Sequence, residues 1–479
     1  MARKKSKPIP RQQMPTRSPE ERRHCFDEVA LGYTMELAVA EANRCIQCKK
    51  PACVTGCPVE VRIPEFIKAL REGDMWHAVE ILKDTNSLPA ICGRVCPQET
   101  QCEVECVLGR KGEPVAIGRL ERFVADWEQD QGVLAPELPQ LTGRRIGVVG
   151  AGPAGLTAAG DLAKMGHSVE ILESLHVPGG VLMYGIPEFR LPKAVVRAEI
   201  DYLRSLGVVI RTNVVVGRLY TLSELVDRYD AVFLGTGAGL PMMMSIPGEN
   251  DNGVFSANEL LTRTNLMKGY LFPEWDTPVK VGRRVAVVGA GNVAMDAARV
   301  SLRLGAEEVY IVYRRSRAEV PARAEEFHHA EEEGIIFKFL TNPVEIYGND
   351  QGWVTGMRCI RMRLGEPDSS GRPRPIPIEA SEFDMQMDTV VMALGTRPNP
   401  LVFAAADRLD RTRWGTAAVN APTGRTKMER VWAGGDIVTG AATVISAMGA
   451  GRVAARDIDD YLKNASSPWW PQEDADAEV

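Results

Sequence analysis

Arg145-Ile-Gly-Val-Val149 runs directly into Gly150-Ala151-Gly152-Pro153-Ala154-Gly155. The β-rich run reads as a strand and the glycines as the turn that leaves it. A helix is expected from about Leu156 to Met165, then a second strand, Val169–Leu172, ending at Glu173. The glycines let the backbone approach a pyrophosphate, and the helix N-terminus stabilises its charge. An acid about 20 residues on can accept from a ribose hydroxyl. Gly150, Gly152, Pro153, Ala154, Gly155 and Glu173 are therefore the candidate contacts of a dinucleotide site.

The same unit recurs. Arg284–Val288 feeds Gly289-Ala290-Gly291-Asn292-Val293-Ala294, a helix to about Leu304, and the strand Val309–Tyr313. Alanine replaces the third glycine, which the fingerprint permits. No acid follows this second strand; Arg314 and Arg315 do, with Arg317 and Arg323 nearby. Arginines pair with a 2′-phosphate that an acid would repel. The first site thus favours a nucleotide with a free ribose diol, and the second favours NADP(H), held by Gly289, Gly291, Asn292, Val293, Ala294, Arg314, Arg315 and Arg323.

Two near-repeats bracket the second unit: Ala231-Val-Phe-Leu-Gly235-Thr236-Gly237 and Val390-Val-Met-Ala-Leu-Gly395-Thr396. They read as the exit from the first domain and the return to it. Val431-Trp-Ala-Gly434-Gly435-Asp436 then closes the first domain, followed by a helix starting near Thr443. Its N-terminal amides can face an anionic ring position, and Asp436 can contact the ribityl or pyrophosphate part of a flavin. Gly235, Thr236, Gly395, Gly435, Asp436 and Thr443 join the candidate contacts.

Eight of the ten cysteines fall in two groups: Cys45-x2-Cys48-x4-Cys53-x3-Cys57-Pro58 and Cys92-x3-Cys96-Pro97-x4-Cys102-x3-Cys106. Three thiolates on a short loop, then a cysteine followed by proline, is the ferredoxin pattern, in which that fourth cysteine serves the other cluster. Structural zinc sites show paired C-x2-C knuckles, and only Cys45/Cys48 form one. Spacing alone points to eight thiolates around two iron–sulfur clusters. Between the groups, Arg62–Asp84 has helical periodicity broken at Gly73, so a small helical domain is expected, its core made largely of the clusters. Cys25 and Cys359 read as an ordinary thiol and a small strand-core residue. His328-His329 are adjacent on a helix and cannot form an i,i+4 metal pair.

At 479 residues the chain is too long for one core. A net charge of −6 argues against a general nucleic-acid binder. No apolar run reaches a membrane span, and the basic start lacks the apolar segment of a signal peptide. Clustered thiols without an export signal fit the cytosol better than a disulfide framework. The expected architecture is an α/β, Rossmann-like pair of dinucleotide-binding domains. Residues 141–240 with 388–465 form the first domain, 241–387 the second, inserted one. An all-α ferredoxin-like iron–sulfur domain spans 21–140. Residues 1–20 are expected to be a solvated, mobile arm. Residues 466–479 read as a polar tail, in which Trp469-Trp470 can dock on the body or a partner.

These motifs resemble the small (β) subunit of NADPH-dependent glutamate synthase. The N-terminal module of dihydropyrimidine dehydrogenase and the large subunit of NADH-dependent ferredoxin:NADP oxidoreductase share them. The resemblance runs from about Phe26 to Leu462 and includes Cys92-Gly-Arg-Val-Cys96-Pro, Pro178-Gly179-Gly180, Gly289-Ala-Gly-Asn-Val-Ala-Met-Asp296, Tyr313-Arg-Arg and Ala433-Gly-Gly-Asp436. It adds Gly180 to the candidate contacts. It implies FAD at the first fingerprint, NADPH at the second, and two [4Fe–4S] clusters. One cluster would take Cys45, Cys48, Cys53 and Cys106. The other would take Cys57, Cys96, Cys102 and Glu121, leaving Cys92 a bystander. Spacing and resemblance disagree on that last ligand.

The function so implied is NADPH-linked electron input through FAD and the clusters to a partner flavin, with the chemistry carried by cofactors and no catalytic side chain required. Outside the cysteine groups there is no Cys-x-x-Cys pair to receive electrons. In glutamate synthase the partner is a larger glutaminase/FMN-barrel subunit, for which this length leaves no room, so a hetero- or homo-oligomer is expected. The alternatives are a bifurcating transhydrogenase subunit paired with a small flavoprotein, a stand-alone sulfide or polysulfide oxidoreductase, and a non-catalytic assembly subunit.

Overall fold

In the computed structural model, strand β1 (Arg145–Val149) leads into the Pro153–Lys164 helix, and β2 (Ser168–Leu172) returns parallel to β1. Strands β3 (Val209–Arg211) and β4 (Ala231–Leu234) extend the sheet on either side. All of β1 except Arg145 is buried, as a strand covered on both faces must be. The structure describes residues 9–134, 137–368, 371–404, 406, 409–464 and 469.

The chain leaves through β5 (Leu240–Pro241) and builds a second sheet from β6 (Val254–Ser256), β7 (Arg284–Val288), β8 (Glu308–Tyr313) and β9 (Ile336–Phe339). An antiparallel layer follows: β10 (Thr341–Gly348), β11 (Val354–Pro367), β12 (Pro373–Pro377) and β13 (Phe383–Gln386). Then come β14 (Thr389–Met392), β15 (Thr396–Arg397) and β16 (Val431–Ala433). The two parallel sheets have matching orders, β16-β4-β1-β2-β3 and β6-β14-β7-β8-β9.

That match corrects one boundary. The run from Val390 does not return to the first domain. It is β14, paired with β7 as β4 is paired with β1. The crossing lies just beyond, where β5 and β15 pair antiparallel. The near-repeat marked an equivalent position in a duplicated unit, not a shared sheet.

The cysteine module holds helices Met35–Ala42, Ile63–Glu72, Met75–Thr85, Pro89–Val95 and Ile117–Gln131. Its core is not made mainly by the clusters, as the sequence suggested. Phe66, Ile67, Leu70, Ile81, Leu82, Leu88 and Ile91 are fully buried, and this core continues into Leu156 and Leu162 of the first dinucleotide domain. Apolar stripes on amphipathic helices need a partner face, and the neighbouring domain supplies one.

The N-terminal arm also differs from expectation. Residues 1–8 lie outside the described residues, but 9–20 are tied down. Arg11 pairs with Glu103 at 2.7 Å, Tyr33 donates its hydroxyl proton to the Gln12 carbonyl at 2.6 Å, and Ser18 caps a short helix. Of the tail, Trp469 is described. Its ring packs against Trp432 at 4.7 Å and Tyr461 at 5.4 Å, and its indole N–H reaches the Thr426 carbonyl. Cys359 is fully buried in β11 beside Met385. Among the described residues no helix is long and apolar enough to cross a membrane.

Candidate functional site

Cys45, Cys48, Cys53 and Cys106 line one cavity, whose other walls include Ile46, Ile63, Ile67 and Ile117. Burial pushes the Cys53 thiol up to about 12, and the nearby Cys106, Cys45 and Cys48 add to the rise. Burial raises Cys45 as well. Thiols that hinder one another's ionisation become thiolates when a cationic group sits among them. Among the described residues no three His, Cys, Asp or Glu side chains close on a single-ion position. The four sulfurs instead surround a space, which suits a polynuclear group.

Cys57, Cys96, Cys102 and Glu121 form the second gathering. Burial raises Cys57 to about 11, and Glu121 and Cys96 contribute. Cys102 is raised by burial, then by Glu103, Glu121, Cys57 and Cys96. The Glu121 carboxyl is pushed up to about 8 by burial and accepts a 2.6 Å hydrogen bond from Asn86 Nδ2. Cys92 is fully buried; its thiol meets the Asn86 Oδ1 at 3.6 Å and Met448 Sδ at 3.4 Å. Glu121 acts electrostatically on Cys57, Cys102 and Cys92, and Cys92 is also a neighbour of Cys96. Both the Glu121 carboxylate and the Cys92 thiol are buried beside this thiol group. Both groups fit iron–sulfur cubes by their donor chemistry.

At the first fingerprint, Gly150 turns at φ +100°, in the left-handed region, and a Cβ there would lie 2.6 Å from the Gly235 carbonyl oxygen. A Cβ at Gly155 would lie 1.9 Å from the Gly150 carbonyl oxygen. Gly152, by contrast, faces open space. It caps the Pro153–Lys164 helix, with Pro153 as its first residue. Ala154 is buried and lies against Gly435; Gly180 backs onto Gly152, and Thr236 onto Gly150. Glu173 Oε2 accepts from the Ala151 amide at 2.7 Å. Asp436, raised to about 6 by burial, accepts from the Ala442 amide, and Thr443 caps the Val444–Lys463 helix. Tyr184 is pushed up to about 12 by burial, then by Asp436 and Glu173. The open Gly152 face and the helix N-terminus behind it fit a pyrophosphate.

At the second fingerprint, Gly289 (φ +126°) makes the turn and Gly291 faces open space. Asn292 and Val293 begin the Asn292–Arg303 helix, and Ala294, its third residue, is buried. Asn292 Oδ1 accepts from the Arg323 amide at 2.8 Å, and the Gly395 carbonyl accepts from Met242 at 3.0 Å. The arginines separate. Arg314 is exposed at the end of β8. Arg315 is buried, pairing with Asp368 at 2.7 Å and donating to the Pro373 carbonyl. Arg323 turns to the cysteine module, donating to the Arg94 carbonyl at 2.6 Å and Gln98 Oε1 at 2.9 Å. Arg317 pairs with Glu331. Only Arg314 of the proposed phosphate contacts has an open side chain.

Comparison with known proteins gives the same division. Residues 22–133 match the family described as dihydropyrimidine dehydrogenase domain II, 4Fe-4S cluster, and residues 144–451 match pyridine nucleotide-disulphide oxidoreductase. The glutamate synthase [NADPH] small chain of Azospirillum brasilense is 39% identical over 94% of this chain and 95% of its own length. That of Escherichia coli K12 is 36% identical over 91% and 94%. The chain belongs to the glutamate synthase small-chain family. It is an oxidoreductase whose body binds FAD and a pyridine nucleotide behind a 4Fe–4S domain. A Moorella thermoacetica protein, NADP(+)-dependent formate dehydrogenase subunit beta, is 40% identical over 89% of this chain, which spans 62% of that protein. Among solved structures, Mycobacterium tuberculosis FprA in complex with NADPH covers 68% of this chain and 87% of its own (TM-score 0.56, 23% identity) and shares the fold.

This small-chain relative also carries site features that its sequence did not announce. Lys193 is buried, and its ammonium donates to the Leu182, Ile186 and Leu191 carbonyls, bracing the loop after Gly180. Arg190 grips Asp296 with two bonds of 2.8 and 2.7 Å. Asn86 meets both Glu121 and Cys92. A lysine or asparagine at a helix edge reads as solvated, and nothing local marks these three as buried.

Proposed function

We propose that this chain is the electron-input subunit of a glutamate-synthase-type enzyme, drawing on NADPH and delivering electrons to a larger partner subunit. The observation that carries this reading is 39% identity across nearly the full length of both chains, with both cofactor walls intact. When bound, FAD exchanges a hydride with NADPH and two [4Fe–4S] clusters pass single electrons. The protein's own part is to bind and orient. Gly152 and Gly291 open the backbone to each pyrophosphate, and two helix N-termini stabilise its charge. Arg314 is the side chain free to meet a 2′-phosphate. Gly449, near the start of the Val444–Lys463 helix, packs against the Pro58 carbonyl beside Cys57, so the flavin-side helix and the second thiol group share a wall.

The test is reconstitution. The purified chain should reduce an artificial dye with NADPH alone. It should support NADPH-dependent glutamate formation from glutamine and 2-oxoglutarate only when a glutamate synthase large subunit is added. Dye reduction without glutamate formation in that mixture overturns the proposal. The same outcome would favour a second reading, in which the input module serves another acceptor. The formate dehydrogenase subunit of Moorella thermoacetica, equally similar, supports it.

A further inference from the structure

We propose that Asn86 is a positioning residue for the second cluster, holding the Glu121 carboxylate by one oxygen so that the other serves the group held by Cys57, Cys96 and Cys102. The proposal rests on Glu121 as the non-cysteine ligand and goes beyond it to what orients and tunes that ligand. Asn86 is fully buried where the Met75–Thr85 helix ends, and its own N–H closes on the Leu82 carbonyl. Its amide cannot be turned over. Oδ1 already accepts from the Leu88 N–H at 3.0 Å and from the Cys92 thiol at 3.6 Å. The NH2 group is thereby directed at Glu121, whose Oε1 it reaches at 2.6 Å. Oε2 is the oxygen left over, and the backbone of the next residue, Arg122, packs against Gly93, between Cys92 and Cys96.

Two consequences follow from general chemistry. A carboxylate fixed by one oxygen loses little freedom on ligating a metal with the other, as partners behind a metal ligand commonly ensure. A hydrogen bond donated to an anionic ligand also draws charge from it. The reduced cluster carries one more negative charge than the oxidised one, so the bond favours reduction and raises the potential.

The experiment uses the cluster-loaded chain. Asn86→Ala and Asn86→Asp are purified, iron is counted, and each cluster's midpoint potential is measured by spectroscopic redox titration. Asn86→Asp keeps the volume and the acceptor for Leu88, so it carries the test if Asn86→Ala does not fold. One cluster's reduction equilibrium should become about tenfold less favourable, about 59 mV for a one-electron couple, while the other stays in place. Cys92→Ala removes the thiol from the same Oδ1 but leaves the Nδ2–Glu121 bond, and should move neither potential. Unmoved potentials in an Asn86 variant with full iron overturn the proposal. Glu121→Ala tests the underlying reading separately: full iron there removes Glu121 as a ligand, whereas iron loss there with unmoved Asn86 potentials leaves the ligand standing and the proposal refuted.

Discussion

Gly155 and Gly291 belong to equivalent loops and meet opposite demands. A Cβ at Gly155 would strike the Gly150 carbonyl at 1.9 Å, whereas one at Gly291 would meet nothing within 4 Å. Gly155→Ala should therefore cost about 1–3 kcal/mol of stability by overpacking and shed flavin, read from visible absorbance. Gly291→Ala should leave the melting temperature in place and raise the Kd for NADPH about tenfold, or about 1.4 kcal/mol, because only the ligand needs that space. The arginines divide in the same way. Arg314→Ala should weaken NADPH about tenfold or more and NADH little, given the strength of charge-assisted contacts. Arg315→Ala should destabilise the fold by about 1–3 kcal/mol with the NADPH-to-NADH preference unchanged; a lost preference there would return Arg315 to the phosphate. The strand-end arginines were readable from the fingerprint. Which of them stays open was not, because Asp368 arrives from a hairpin 53 residues away.

The Val444–Lys463 helix is a seat for another helix and for a loop. Gly451 lets it close on Ala154, where a Cβ would lie 2.4 Å from the carbonyl oxygen, and Gly449 lets it meet Pro58, at 2.8 Å. Gly449→Leu should push the Cys57-Pro58 loop away, so the purified protein should keep its FAD and lose iron, measured as iron per flavin. Equal loss of both would mean that the helix itself had moved. Element types were legible wherever local pattern decides them. The break at Gly73 separates Ile63–Glu72 from Met75–Thr85, and Thr443 starts the last long helix. Sheet membership was not legible, since strand pairing is non-local: β14 resembles β4 as a buried apolar strand and pairs with β7.

Three bodies meet at a buried ionic junction. Arg190 and Arg299 face Glu326; Arg299 and Arg303 grip Glu333 at 2.8 and 2.7 Å; Arg22 reaches Glu332 at 2.5 Å across 310 residues of sequence. Burial would raise these carboxyls, but Arg190 and Arg299 hold Glu326 at about 2, and Arg299 and Arg303 hold Glu333 at about 2. Burial holds His329 down at about 4. Depressed acids stabilise the fold above their unfolded pKa, about 4.3. That stability is lost as pH falls towards 2. A depressed histidine adds a loss between about 6.5 and 4. Asp296, raised to about 6 by burial, gains stability over the window in which His329 loses it, so melting temperature should fall chiefly below about pH 4.3. Glu333→Gln should lower it at neutral pH, because two buried guanidiniums lose their partner at a cost of about 3–5 kcal/mol, and should flatten the acid limb. An unchanged limb would place the acid sensitivity elsewhere. No local pattern announces this junction, because its partners are brought together only by the finished fold.

The β5–β15 pairing sets an order of assembly. Every strand of the inserted sheet lies between residues 254 and 392, so that unit is complete once Arg397 has been synthesised. The outer domain must still wait for β16 and the Val444–Lys463 helix. The cysteine module emerges earliest, yet Met448 and Gly449, which pack against it, come almost last. Domains fold as they leave the ribosome. The sheet of the second fingerprint should therefore close first, and the sheet of the first fingerprint should close later, together with the wall behind Cys57.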